Sequence, residues 1–275
     1  VPTERWDWKS YYGNTQEERG KTKAKWGGFI KDIDKFDPLF FNISPKEAEL
    51  MDPQQRIVLE AVHQALEDAS ITTKKIAGSN TGVFIGVSSS DYYTMIKNKT
   101  DLITHSLFAT GFAHSVLVNR ISYLLDLHGP SEPIDTACSS SLIAIHRGVE
   151  NIRNGHCDLV IAGGVNALIS PELTLSFSHA GMLSEDGRCK TFDQSANGYV
   201  RGEGVGIVIL KPLSRAQADG DQIYGVIRGS AENHGGKANT LTSPNPVAQK
   251  SLLVKAYERA GVDPRDVSYI EAHGT

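Results

Sequence analysis

The residues best suited to covalent chemistry are Asp135-Thr136-Ala137-Cys138-Ser139-Ser140-Ser141. An apolar stretch ending at Ile134 runs into small side chains, then a cysteine, then a helical pattern with Leu142, Ile145, Val149 and Ile152 on one face. A strand–turn–helix elbow of this kind holds the sulfur at a helix N-terminus, where unpaired amides and the helix dipole favour thiolate. Small neighbours admit a carbonyl carbon, and the Cys138 N–H is placed to donate to the developing oxyanion. That combination suits acyl transfer through a thioester. The alternative for Cys138 is a buried structural cysteine, the state of most free thiols. Cys157, which opens an apolar strand pattern, and Cys189, in a polar loop between Arg188 and Lys190, read as structural.

A nucleophilic cysteine needs a basic or charge-stabilising partner. Of nine histidines, His63, His114 and His146 lie in helical patterns and read as core-edge or surface residues. His105, His128, His156 and His179 lie in or near loops, and His234 opens a Gly-Gly loop. His273 differs: it ends the apolar run Tyr269-Ile270-Glu271-Ala272, and layered α/β folds gather functional groups at strand ends. The glycine-rich stretch 198–206 is not a phosphate loop, because it precedes the run VGIVIL instead of following a strand and opening a helix. Within it, the spacing of Arg201 and Glu203 predicts a local ion pair.

The elements that must position these groups alternate. Asp52-Pro53 caps a helix with apolar residues at 57, 58, 61, 62, 65 and 66. Residues 81–88 read as a buried strand, 111–126 as a helix, 134–136 as a strand end, and 158–162 as a short strand. Residues 205–210 and 223–227 read as neighbouring strands. Asn245-Pro246 opens a helix that stops at Gly261, and 267–270 starts one more strand. Strands apolar on both faces, alternating with helices, predict an α/β layered fold with the sheet between helices. Ahead of this, the first fifty residues hold all three tryptophans (Trp6, Trp8, Trp26) with Tyr11, Tyr12, Phe29, Phe36, Phe40 and Phe41, which predicts an irregular segment anchored by aromatic rings. Lys21, Lys23 and Lys25 read as a solvated loop.

Composition sets outer bounds. The 275 residues carry a net charge of −4 with 40% hydrophobic positions, a globular profile with no basic footprint for nucleic acid or anionic membrane. No apolar run reaches the roughly 18–20 residues of a bilayer span, and the N-terminus has no signal-peptide pattern. Three cysteines without paired spacing point away from a disulfide framework or a zinc site and toward a reducing, cytoplasmic setting. The Asn-x-Ser/Thr triplets at Asn42 and Asn98 then read as chance matches.

DTACSSSL at 135–142 resembles the active-site motif of β-ketoacyl synthases, the condensing enzymes of fatty-acid and polyketide synthesis. DPQQR (52–56), AGGVN (162–166), GMLSEDGRCKTFDQSANGYVRGEG (181–204) and EAHGT (271–275) follow in the order of ketosynthase domains from modular type I polyketide synthases. HGGKANTLTSPNP (234–246) is similar to modular synthases served by a separate, trans-acting acyltransferase. The resemblance implies a thiolase-like αβαβα fold, represented by most of its N-terminal half (about 1–233) and the start of its C-terminal half (234–275), and assembled as a homodimer. It implies that Cys138 takes an acyl chain from the phosphopantetheine arm of an acyl carrier protein, that His273 stabilises charge as malonyl-carrier protein loses carbon dioxide, and that Thr275 lies near the arm. No metal or diffusible cofactor is implied. The family's second histidine, lysine and second oxyanion donor fall beyond Thr275, so the chain reads as an internal piece of a longer synthase with exposed apolar faces, inactive alone. Other readings of the same motifs are a non-elongating ketosynthase that only passes acyl chains on, and a fatty-acid synthase condensing domain. A non-catalytic chain-length partner is disfavoured by the presence of Cys138.

Overall fold

Local signals start and stop most of the helices. The computed structural model describes residues 1–14 and 18–275. Ser44 is extended and its side chain accepts from the Glu47 N–H, so Pro45 opens α1 (Pro45–Leu50) without wasting a donor. Asp52 does the same for α2 (Pro53–Asp68), accepting from the Gln54 N–H at 2.8 Å. Strand β1 (Thr81–Gly86) is buried along its whole length. Helix α3 (His114–Leu125) stops at Asp126, whose backbone is left-handed. Then come β2 (Ser131–Ile134), α4 (Ser140–Arg153), β3 (Leu159–Asn166), α5 (Glu172–His179) and β4 (Gly204–Leu210). Helix α6 (Leu213–Asp219) ends at the left-handed Gly220. Helix α7 (Pro246–Ala260) is capped by Asn245 and ended by the left-handed Gly261.

The four strands form one sheet in the order β2-β1-β3-β4. β1 runs parallel to β2 and β3, and β4 runs antiparallel along β3. Strand alternation splits the core in two. Val83, Ile85, Ile161 and Val165 face α2 and α3, meeting Val58, Val62, Leu117 and Ile121. Phe84, Val160 and Ala162 face α4, meeting Ala144, Ile145 and Ile152. A mostly parallel sheet covered on both faces is the expected layered architecture. Among the described residues, every buried side-chain nitrogen and oxygen has a hydrogen-bond partner.

Several expectations need correction. Residues 223–227 and 267–270 form no ladder. Both are apolar, but neither lies beside a strand able to share hydrogen bonds, and Tyr224 and Ile270 are 81% and 74% exposed. His146 is buried, not at an edge, and its Nδ1 lies 2.8 Å from Ser230 Oγ. Arg201 and Glu203 do not pair. Arg201 is buried, donates to Thr174 Oγ1 at 2.8 Å and lies over the Phe177 ring. Glu203 instead binds Arg5 through two 3.0 Å contacts and also accepts from the Ile30 N–H (2.8 Å) and the Leu168 N–H (3.0 Å). The lysine stretch is not simply solvated: Lys25 Nζ lies 5.0–5.6 Å from the centroids of Tyr12, Trp8 and Trp26. The aromatic segment is anchored as expected, with Trp6 edge-on to Phe29 and Phe36 stacked on Phe41.

Two stability measurements follow from these buried charges. Arg5→Met strands the fully buried Glu203 carboxylate and is expected to cost roughly 3–5 kcal/mol, part of which Arg5→Met/Glu203→Leu should restore. Urea unfolding of both variants tests this; a near-neutral Arg5→Met would contradict it. Burial pushes the Asp52 carboxyl up to about 6, above its unfolded value, so the folded chain binds that proton more tightly. Its contribution to stability therefore grows as pH falls from 6 toward 4 and is lost as pH rises through 6. Asp52→Asn should gain on the native chain between about pH 4.5 and 7, by on the order of 1–3 kcal/mol in urea titrations.

Candidate active site

Cys138 sits in a single 3-10 turn, Ala137–Ser139, between β2 and α4, and is exposed. The turn is strained: Ala137 has φ +54°, a conformation that costs a non-glycine residue about 1–3 kcal/mol and persists only where its surroundings enforce it. Here they do. Asp135 Oδ1 accepts from the Ala137 N–H (3.1 Å) and from the Ser88 hydroxyl (2.9 Å). The Ser140 hydroxyl accepts from the Thr136 N–H (2.9 Å) and donates to the Ala137 carbonyl (2.6 Å). Ser139 donates to the Thr136 carbonyl and lies 2.9 Å from its hydroxyl. The polar neighbours of Cys138 are thus a strap that holds the elbow.

The sheet supplies the floor. Gly86, the last residue of β1, is paired in register with Gly164 of β3. A Cβ on Gly86 would lie 2.6 Å from Ser141 N, and one on Gly164 would lie 2.7 Å from Ser141 Cβ. The first turn of α4 rests directly on these two backbones, which sets the height of Cys138 above the sheet.

A compact loop, residues 182–200, stands beside the elbow and closes on itself through Tyr199 N–H to Met182 O and Ser184 N–H to Tyr199 O (both 2.9 Å). Lys190 braces its interior, donating to Asp186 (2.8 Å) and Asn197 (2.6 Å). Hydrogen bonds from Lys190 and Ser184 hold the Asp186 carboxyl down to about 2. Burial raises the Tyr199 phenol above its usual range; nearby Arg201 opposes this and Cys138 adds to it, so the phenol lies within electrostatic range of the thiol. Cys189 is exposed in the loop, its Sγ accepting from the Val200 N–H (3.3 Å). Cys157 is buried, and desolvation, with Asp158 nearby, keeps its thiol protonated well beyond neutral pH.

His273 and Thr275 lie exposed in the C-terminal tail. The carbonyl of Gly274, between them, accepts from Thr191 Oγ1 at 2.5 Å. The same loop that places Tyr199 near Cys138 thus holds the peptide carrying His273. Reading from sequence singled out Cys138, His273 and Thr275 but missed Tyr199, Thr191 and the glycine floor. The paired glycines ending TGVFIG and IAGG were the available sign of a close backbone approach.

The family model for the β-ketoacyl synthase N-terminal domain matches residues 1–216, and the C-terminal domain model matches 224–275. The chain belongs to the β-ketoacyl synthase family. Over its full length it is 53% identical to polyketide synthase PksN of Bacillus subtilis, 49% to probable polyketide synthase 1 of Dictyostelium discoideum and 45% to a phenolphthiocerol/phthiocerol polyketide synthase subunit of Mycobacterium tuberculosis. It spans 5%, 9% and 18% of those proteins. Among solved structures, the module 6 ketosynthase of the Bacillus subtilis bacillaene synthase superimposes with TM-score 0.90 at 43% identity. A Streptomyces albus oxazolomycin ketosynthase does so at 0.94 and 44%. The chain is covered completely in both and spans 45% and 48% of them. The fold is the thiolase-like fold of these ketosynthases.

The glycine floor can be tested directly. Gly86→Ala must lift the start of α4 and is expected to cost about 1–3 kcal/mol in urea unfolding. It should also change iodoacetamide labelling at Cys138, read by peptide mass, while Cys189 labels as before. Unchanged labelling at Cys138 would show that the helix start is not set by the sheet.

Proposed function

We propose that this chain carries the nucleophile of a polyketide ketosynthase that catalyses decarboxylative Claisen condensation. The observation that carries the reading is Cys138, exposed on a strapped elbow at the head of α4 in a ketosynthase fold. The Cys138 thiolate attacks an acyl thioester on the phosphopantetheine arm of an acyl carrier protein. The Cys138 S–acyl bond forms, the carrier's C–S bond breaks, and the carrier leaves as thiolate, which takes its proton from solvent. Malonyl-carrier protein then loses carbon dioxide, and His273 stabilises the charge left on its thioester oxygen. The carbanion attacks the Cys138 thioester, Cys138 leaves as thiolate, and a β-ketoacyl-carrier protein is released.

Several features support the reading. Residues 135–139 are all exposed, so the thiol is reachable by a flexible arm. Thr275 lies two residues past His273, on the peptide tethered to Thr191, in keeping with a place beside that arm. β2 and β4 are the two edge strands of the sheet, and an edge strand such as β2 is an element through which a second copy could continue it as a homodimer. The segment 234–246 favours a synthase served by a trans-acting acyltransferase. Among the described residues no helix is long and apolar enough to cross a membrane.

Incubation of the ketosynthase that carries this chain with an acyl thioester is expected to add one acyl mass. The adduct should be lost in Cys138→Ala and kept in Cys157→Ala and Cys189→Ala. Cys189 is exposed and chemically accessible, so its control is the stringent one. An adduct that survives Cys138→Ala overturns the assignment.

A further inference from the structure

The loop at 182–200 is fastened at both ends by one short stretch of the N-terminal segment. At its leading end Gly187 has φ +71°, and a Cβ there would lie 2.4 Å from Trp26 Cγ: the indole lies flush on the loop backbone. Lys23 reaches Glu185 at 3.2 Å. At the trailing end the Gly28 N–H donates to the Arg201 carbonyl (3.0 Å) and the Glu203 N–H to the Gly28 carbonyl (2.8 Å). Trp26 is itself held. Lys25 Nζ stands over the rings of Trp8, Tyr12 and Trp26, an aromatic cage filled by the chain's own cation, at distances where cation–π attraction acts. Downstream, Thr191 holds the Gly274 carbonyl.

We propose that residues 23–28 are a clamp that positions the 182–200 loop and, through Thr191, the His273 peptide, with Trp26 as a positioning residue for the condensation step. This rests on the site reading above. The elbow of Cys138 does not depend on the clamp, because it is held by its own strap and by Gly86 and Gly164. Loosening the clamp therefore separates the two half-reactions: the thiol still loads, but the histidine is misplaced. Displacements of about 1 Å in a reacting group cost up to roughly 100-fold in rate.

The test uses the ketosynthase that carries this chain. Trp26→Ala is expected to lower kcat for condensation about 10- to 100-fold while changing the rate of Cys138 loading from a soluble acyl thioester less than about 2-fold. Trp26→Phe should recover part of the loss. Thr191→Val should show the same split, and adding it to Trp26→Ala should lower kcat little further, since both break one chain of contacts. Hydrogen exchange gives a readout independent of activity: Trp26→Ala should speed exchange in 184–200 and 271–275 and leave 139–145 unchanged. If Trp26→Ala does not fold, Trp26→Phe and Thr191→Val carry the same comparisons. Equal losses in loading and condensation, additive effects, or unchanged exchange in 271–275 would each overturn the clamp. Cys138→Ala and His273→Ala keep the two ideas apart. Condensation that survives either one sinks the site reading, whereas loss of condensation in both with a silent Trp26→Ala sinks only the clamp.

Discussion

The buried pair between Arg5 and Glu203 is the contact on which the arrangement of the chain turns. Both side chains are removed from water, a state that is tolerable only when each oxygen and each N–H finds a partner. Glu203 meets that condition with two guanidinium contacts and the amides of Ile30 and Leu168; Arg5 adds a bond to the Ile30 carbonyl at 2.7 Å. Four distant stretches converge on one carboxylate: the N-terminus, the turn at 30, the end of β3 and the start of β4. An apolar contact of equal size would let these segments slide. A bidentate ion pair with two amide donors admits one register, and that register brings Gly28 beside Gly202 and Trp26 beside Gly187.

Cys138 is positioned by the opposite device, the absence of side chains. Gly86 and Gly164 bring the head of α4 down onto the sheet, and the strained Ala137 is kept in place by the serine, threonine and aspartate around it. Charge and bulk are kept to the flanks, so the thiol stands clear at the helix head. Two independent frameworks therefore meet at the site: a strap and glycine floor under Cys138, and a clamped loop beside it that carries Tyr199 and tethers the tail.

What the sequence disclosed follows the range of the interactions. Asp52-Pro53, Asn245-Pro246 and Gly261 act within one helical turn, and each placed its helix end to within a residue. The elbow around Cys138 was legible for the same reason, since its strap is made almost wholly of side chains within five residues. Strands needed more. TGVFIG and 223–227 are alike as apolar runs, yet only the first found neighbours to complete a ladder. Arg201 and Glu203 misled because a spacing of two says that side chains share a side, not that they meet. Glu203 was taken by a residue 198 positions away, and Arg201 by the hydroxyl of Thr174 on α5. The clamp was illegible, although its aromatic residues were conspicuous, because nothing in the order of residues links Trp26 to Gly187.

That separation of 198 positions also has a temporal meaning. At translation rates of about 5–20 residues per second, Arg5 leaves the ribosome roughly 10–40 s before its partner does. Throughout that interval Trp26 has no loop to lie on, while α2, β1 and α3 can already begin to assemble from local contacts. Within this stretch the residues made earlier are thus among the last to settle, and its most aromatic segment stays uncovered until β4 has been synthesised.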